Sequence, residues 1–324
     1  VLTVGVDVGG TSVRAGVVDE HGSLMDTARV GTPGEENALE DAIAGVVEDL
    51  RNRHEVSGVG LAVAGFVASD RRTVMFAPHL SWRAAPVAER IEKRVGLPVT
   101  LEHDVNAAAI GEYRFGAARG AHVAALIALG TGIGAGLLLD GKIYRGAYGV
   151  APELGHLTVV PGGRACPCGK YGCWERYCSG TALAATAVEL LARHPGRSTV
   201  LARETRGDPG SVTGRRVAGA ARDGDPIAQR AMTELAKWLA EGLALVADVF
   251  DPEIIVIGGG VSESAPLFLD EAREHYAGKI TGAGHRPLAR IRAAQHGDDT
   301  AIVGAAALAV DAAKAPGAEV GVTG

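Results

Sequence analysis

Aromatic side chains are scarce in this sequence: Phe, Trp and Tyr make up 4% of 324 residues, while glycine alone fills 46 positions. Any core must then be built mainly from Ala, Val, Leu and Ile. No stretch approaches the ~18 uninterrupted apolar residues of a membrane-spanning helix, so no membrane partner is expected. Basic runs of five or more are absent too, and the net charge is −6, which argues against a nucleic-acid surface. The opening segment, Val1 to Asp7, reads as a strand. It has neither a basic leader nor a cleavage pattern, so no signal peptide is expected and the protein is expected in the cytoplasm. No G-x-x-x-x-G-K-S/T run occurs, which removes the P-loop from consideration. The four cysteines all lie between 166 and 178. A disulfide framework would spread them to staple distant segments; clustering points to metal.

What is present reads as a globular α/β chain. Apolar residues make up 47% and charged residues 22%, and the length suffices for two domains. An apolar strand over 2–8 meets the turn Gly9-Gly10-Thr11, a second strand covers 12–18, and Asp19 to Gly22 turns the chain again. Leu39, Ile43, Val46, Val47 and Leu50 follow helical spacing, which predicts a helix over 36–53. Strands are expected at 57–63 and 98–102, then an Ala-rich helix over 105–114. A new strand over 122–129 runs into Gly130-Thr131-Gly132-Ile133-Gly134, and Asp140-Gly141 signals a hairpin turn. Asp225-Pro226 opens a helix that reaches 249, Ile254 to Ile257 form a buried strand ending in Gly258-Gly259-Gly260, and a last helix covers 299–313. The second opening echoes the first. Ala15-Gly16-Val17-Val18-Asp19 resembles Ala135 to Asp140 at an offset of about 120 residues, as a duplicated domain would. A cleft between such halves is where small ligands usually sit.

Three glycine turns and two polar clusters are candidates for chemistry. Asp7 ends a buried strand, where a carboxylate is costly without compensation. The glycines after it (Gly9, Gly10, then Thr11) let backbone N–H groups approach phosphate oxygens. Gly130-Thr131-Gly132-x-Gly134 and Gly258-Gly259-Gly260 offer the same from elsewhere in the chain. The strongest constellation runs from Glu153 to Glu175. His156, Cys166, Cys168 and Cys173 form a four-ligand set suited to a closed, structural Zn²⁺ site, with Cys178 left over as a buried thiol. With one ring nitrogen on the metal, the other nitrogen of His156 must carry a proton and donate it in a hydrogen bond. Glu153 and Glu175 bracket the loop and could accept from hydroxyls of a ligand. In Glu102-His103-Asp104-Val105-Asn106, Asp104 is placed either as a general base or as a helix N-cap, and Asn106 as a satisfier of the helix start.

These motifs resemble the signature of the ROK family of repressors and sugar kinases. Glu153-x-Gly-His156, then Cys166-x-Cys168-Gly-x-x-Gly-Cys173-x-Glu175, carry the likeness, and Asp7 to Thr11, Leu129 to Gly132 and Ile257 to Gly260 follow in order. The resemblance covers about 2–312, and Phe76 to Arg83 is similar to actinobacterial-type members. It implies a duplicated actin-like, ribonuclease-H-like fold: a small domain over 1–117 completed by a helix over 300–313, a large domain over 118–299 with a zinc loop over 156–173, and a flexible tail over 314–324. It implies transfer of a phosphoryl group from ATP, with Mg²⁺, to a hexose, foremost glucose. Asp104 is then the base, and Gly65, His103, Asp104, Glu153, His156 and Glu175 bind the sugar. The domains are expected to close on substrates about hinges near 115–121 and 298–302. A homodimer or homotetramer is implied as well. Two residues depart from the family, which usually has Asn at the places of His103 and His79; both touch the choice of sugar, so mannose, fructose or N-acetylmannosamine stay open, as does polyphosphate as donor. A sugar-sensing ROK repressor carries a helix-turn-helix domain ahead of its sugar domain. With the first phosphate motif at Asp7 no such domain is expected here, and the retained Asp104 favours catalysis.

Overall fold

The computed structural model describes residues 1–194, 199–205 and 208–314. The tail expected to be flexible, beyond Lys314, lies outside them. The chain divides into two units, one made of Val1–Gly120, Lys142–Ala151 and the described residues from Asp298 on, the other of Ala121–Gly141 and Pro152–Gly297.

In the first unit five strands form one sheet in the order Leu24–Gly31, Ser12–Val18, Thr3–Val8, Val59–Val63 and Val99–His103. The first three run antiparallel and the last two join in parallel. Val4, Val6, Val8, Leu61 and Val63 alternate along their paired strands, so they share one buried face of the sheet. Helix Glu36–Arg51 covers one face with the apolar stripe predicted for it. Helix Val87–Val95 ends at Gly96, whose φ of 65° is the left-handed cap that glycine supplies. Helix Thr300–Lys314 lies so close to the sheet that a Cβ on Gly5 would sit 1.9 Å from the Ile302 carbonyl oxygen, and one on Gly60 would sit 1.9 Å from that of Ala305. The glycine and alanine content is thus spent on backbone-to-backbone approach, where ring side chains would not fit. A small sheet of Phe66–Val67, Val74–Phe76 and Arg83–Ala85 completes this unit; no periodicity in the sequence announced it.

The second unit repeats the pattern. Ile133–Leu139 pairs antiparallel with Val123–Leu129, which is followed in parallel by Ile254–Gly258 and Arg290–Ala293. Asp140 (φ 49°) and Gly141 (φ 72°) both adopt the left-handed conformation expected of a two-residue hairpin turn. Helix Pro226–Phe250 starts as predicted: the Asp225 carboxylate accepts from the N–H groups of Ile227 (2.9 Å) and Ala228 (3.0 Å). Its buried face is mostly Ala and Leu. Trp174, fully buried, drives into that face. Its Nε1 donates to the Trp238 carbonyl at 2.7 Å, and a Cβ on Gly242 would overlap its ring at 1.9 Å.

Candidate active site

In the first unit, the end of strand Thr3–Val8 and the end of strand Val99–His103 bring two carboxylates into one electrostatic field. Burial raises the pKa of Asp7, the Arg14 guanidinium opposes that, and the charge of Asp104 adds to the rise. Arg14 pairs with Asp7 at 2.7 Å and also donates to the Asp298 carbonyl at 2.8 Å. The turn after Asp7 is tight: Gly9 N–H donates to the Ser12 carbonyl at 3.1 Å. A Cβ on Gly10 would come within 2.8 Å of His79 Cβ, so the imidazole of His79 stands against this turn. Gly65 is equally confined, with the Phe76 carbonyl oxygen 2.7 Å from where its Cβ would be.

Asp104 is the first residue of helix Asp104–Phe115, not its N-cap; that position belongs to His103, which makes no side-chain cap bond. The N-cap alternative is therefore set aside. The Asp104 Oδ1 instead accepts from Val105 N–H at 2.8 Å and lies 3.2 Å from His103 Nε2. Asn106 does not satisfy the helix start either. It is buried, and its amide donates to Glu102 Oε1 at 3.1 Å.

In the second unit the metal-ligand set assembles. The ligand atoms of His156, Cys166, Cys168 and Cys173 all lie within 4.8 Å of one another, and the cysteines form no disulfide. Two isolated bridges, Thr158 with Cys173 and Ala165 with Tyr171, fold the loop back on itself. Gly169 (φ 90°) and Gly172 (φ 77°) permit the reversal. The Cys168–Cys173 sulfur distance is 3.6 Å and the distance from Cys166 sulfur to His156 Nδ1 is 3.7 Å. Thiolates about 2.3 Å from a tetrahedral zinc stand about 3.7 Å apart, so the set fits that ion. Its Nδ1 faces the sulfurs, while Nε2 lies 3.9 Å from a Glu153 oxygen. Glu175 lies 3.7 Å from Nδ1 by one oxygen and accepts from Ile133 N–H at 3.4 Å by the other. The anchored Trp174 sits between Cys173 and Glu175, so core packing sets both. Cys178 stays apart; it is fully buried, and burial raises its thiol pKa.

A cavity of about 550 Å³ opens in the same unit, walled by Gly130, Thr131, Gly180, Gly214 and Gly260 with Arg215 and Ser264 among others. Two helices begin on it, Gly180–Arg193 behind Ser179 and Gly214–Arg222 behind Thr213. Helix N-termini favour anions. The other predicted glycines do not wall it. Gly132 abuts Glu175, whose oxygen would be 2.3 Å from a Cβ there. Gly134 pairs with Ala128 inside the hairpin, Gly258 ends strand Ile254–Gly258, and Gly259 (φ 76°) presses against the Leu129 backbone.

Residues 3–312 match the model of the ROK family. The chain belongs to the ROK family. It is 46% identical to a glucokinase of Streptomyces coelicolor over 308 residues, which is 95% of this chain and 97% of that one. Among solved structures it is similar to a ROK family glucokinase from Streptomyces griseus in complex with glucose and AMPPNP, with a TM-score of 0.87 at 45% identity, covering 96% of this chain and all of that one (100%). A ROK hexokinase from Thermus thermophilus matches with a TM-score of 0.77 at 32% identity, covering 97% and 99%. The two-domain α/β sugar-kinase fold is thereby shared.

Several residues of this ROK chain escaped the sequence. Arg14 and Arg145 carry no motif, and Glu102 was given no role within its cluster; each finds its partner far along the chain or across a hairpin. The cavity walls at Thr181, Arg215 and Arg222 come from the starts or ends of two helices separated by some thirty positions. The one available signal was the pair of caps, Ser179 and Thr213, each ahead of a glycine.

Proposed function

We propose that the protein transfers the γ-phosphoryl group of ATP to glucose, forming glucose 6-phosphate. What carries this is full-length kinship to Streptomyces glucokinases, of which the griseus enzyme binds glucose and AMPPNP. In this reading Asp104 accepts the proton of the attacking hydroxyl, as alcohol phosphorylation requires. Glu153, His156 and Glu175 hold sugar hydroxyls, joined by His103 and the backbone of Gly65. Gly130, Thr131 and Gly260, with the helix starts at Gly180 and Gly214, cradle the nucleotide, and Gly10 and Thr11 offer N–H groups to phosphate, the Gly9 N–H being taken by the Ser12 carbonyl. The Asp7 carboxylate is the kind of oxygen ligand Mg²⁺ takes beside phosphates, where the ion would neutralise charge. Zinc on His156, Cys166, Cys168 and Cys173 would fix the loop that aims His156 and Glu175. ATP as donor and unpaired clustered thiols suit a cytoplasmic enzyme, and a homodimer or homotetramer is the assembly the family suggests.

Histidine at positions 103 and 79, in place of the family's usual Asn, bears on the choice of sugar. A coupled assay over glucose, mannose, fructose and N-acetylmannosamine, each with ATP or polyphosphate, tests the assignment. The highest kcat/KM is expected for glucose with ATP. A higher value for another hexose would reassign the substrate, and no turnover with any pair would leave a sugar sensor.

A further inference from the structure

We propose that Glu102 is a positioning residue for the phosphoryl-transfer base, and that Arg145 is the partner that holds it in place. The proposal rests on Asp104 being that base.

Asp104 follows the edge strand of the first unit's sheet. Among the described residues, Val99–His103 has Val59–Val63 on one side and no strand on the other. An edge strand lacks a second ladder of hydrogen bonds, so its end is free to shift unless side chains hold it. Here a turn substitutes for the missing neighbour: Leu101 N–H donates to the Arg71 carbonyl at 3.1 Å. Glu102 does the rest. Its side chain is only 3% exposed, and its Oε1 accepts from His103 N–H and from the Asn106 amide, both at 3.1 Å. One carboxylate oxygen thus grips the chain on both sides of Asp104.

A carboxylate so buried is costly without a cation beside it. Arg145 supplies it, donating from Nε to Glu102 Oε2 at 2.9 Å and from Nη2 to the same oxygen. Arg71 Nε stands 3.7 Å from that oxygen. Arg145 belongs to the strap Lys142–Ala151, which is anchored at several points. Ala151 N–H closes it onto the Arg145 carbonyl at 3.1 Å. Ile143 packs on the cluster of Ile110, Ala307 and Leu308. Gly149, at φ 84°, fits where a Cβ would be 2.5 Å from the Val67 carbonyl oxygen. The strap runs on into Glu153, so the residue that fixes the base is held by the same stretch of chain that leads to the sugar-binding loop.

A pair that only stabilised the fold would move Tm and leave chemistry alone. The test is Glu102→Gln and Arg145→Met, singly, together, and each in an Asp104→Asn background, with kcat, glucose KM and Tm measured for all. Each single change is expected to lower kcat by about 10- to 100-fold, since small misplacements of a catalytic group cost that much. The double variant should lose no more than the worse single one, because both break one link. In the Asp104→Asn background the same changes should alter the residual rate by less than about 2-fold, since positioning acts only through the base. Singles with kcat within about 2-fold of wild type, or an undiminished loss in the Asp104→Asn background, overturn the proposal. Where Arg145→Met does not fold, Arg145→Lys keeps the charge without the fork; a kcat loss of about 3- to 10-fold with an unchanged melt supports the positioning role, and unchanged kcat overturns it. Wild-type turnover in Asp104→Asn alone removes the base assignment and this proposal with it, and is recognised before any Glu102 variant is read.

Discussion

The two hairpins that open the two halves are built alike and equipped differently. In the first, Val8 pairs with Val13, and the next rung toward the strand ends is Asp7 with Arg14. In the second, Leu129 pairs with Ile133, and the next rung is Ala128 with Gly134. The turns differ by one residue, so the repeat holds its spacing only on one side of the turn. A shared backbone thus carries an ion pair in one copy and two small residues in the other. The scaffold is repeated, and of these two rungs only the first copy's is charged. The second unit instead holds the large cavity at Gly130 and the cysteine loop.

Making the first hairpin resemble the second is the harshest way to break this contrast. Asp7→Ala should lower kcat by about 10²–10³-fold, the scale seen when a charge aimed at the reacting groups is removed. The fold should not suffer. Burial raises the folded-state pKa of Asp7, so its ionisation opposes folding, and that cost appears as pH rises from the usual carboxylate range through the raised value. The variant's Tm at pH 7 should therefore be no lower than wild type within about 2 °C, and its advantage should vanish in acid, where Asp7 is protonated in both states. A clear fall in Tm at pH 7 would show that the Asp7–Arg14 pair holds the hairpin together.

In the second unit the loop should depend on metal. Protein purified without added zinc should carry one ion per chain, and Cys173→Ser should lose it and raise the glucose KM by about 10- to 100-fold as Glu175 and His156 lose their setting. Active, folded enzyme with no zinc would remove this part of the account. The smallest effect should come from Cys178→Ser. That thiol points to the Leu235 carbonyl at 3.9 Å, away from the ligand set, and the change should alter KM by less than about 2-fold and cost about 1 kcal/mol of stability. A loss as large as that of Cys173→Ser would mean the ligands were wrongly chosen.

Much of this was legible in the sequence because the signals were local. Helical spacing gave Glu36–Arg51, the Asp225-Pro226 cap gave Pro226–Phe250, and the cysteine spacing gave a cluster that does converge. Features made by long-range pairing were not. Strands of two or three residues at 66–85 are too short for a period to show. Glu102 opened the Glu102–Asn106 cluster with no role of its own until Arg145 appeared opposite it, 43 positions away. Asp104 could be placed at the helix start from sequence, but only backbone geometry told the N-cap from the first turn.

The claim on which the rest depends is that Asp104 takes the proton. The direct measurement is Asp104→Asn, with turnover by coupled assay and glucose affinity by calorimetry on the same preparation. A loss of about 10²–10⁴-fold in kcat with glucose Kd within about 3-fold of wild type is the predicted result. Turnover within about 2-fold of wild type would contradict it and leave Asp104 as no more than the opening residue of a helix.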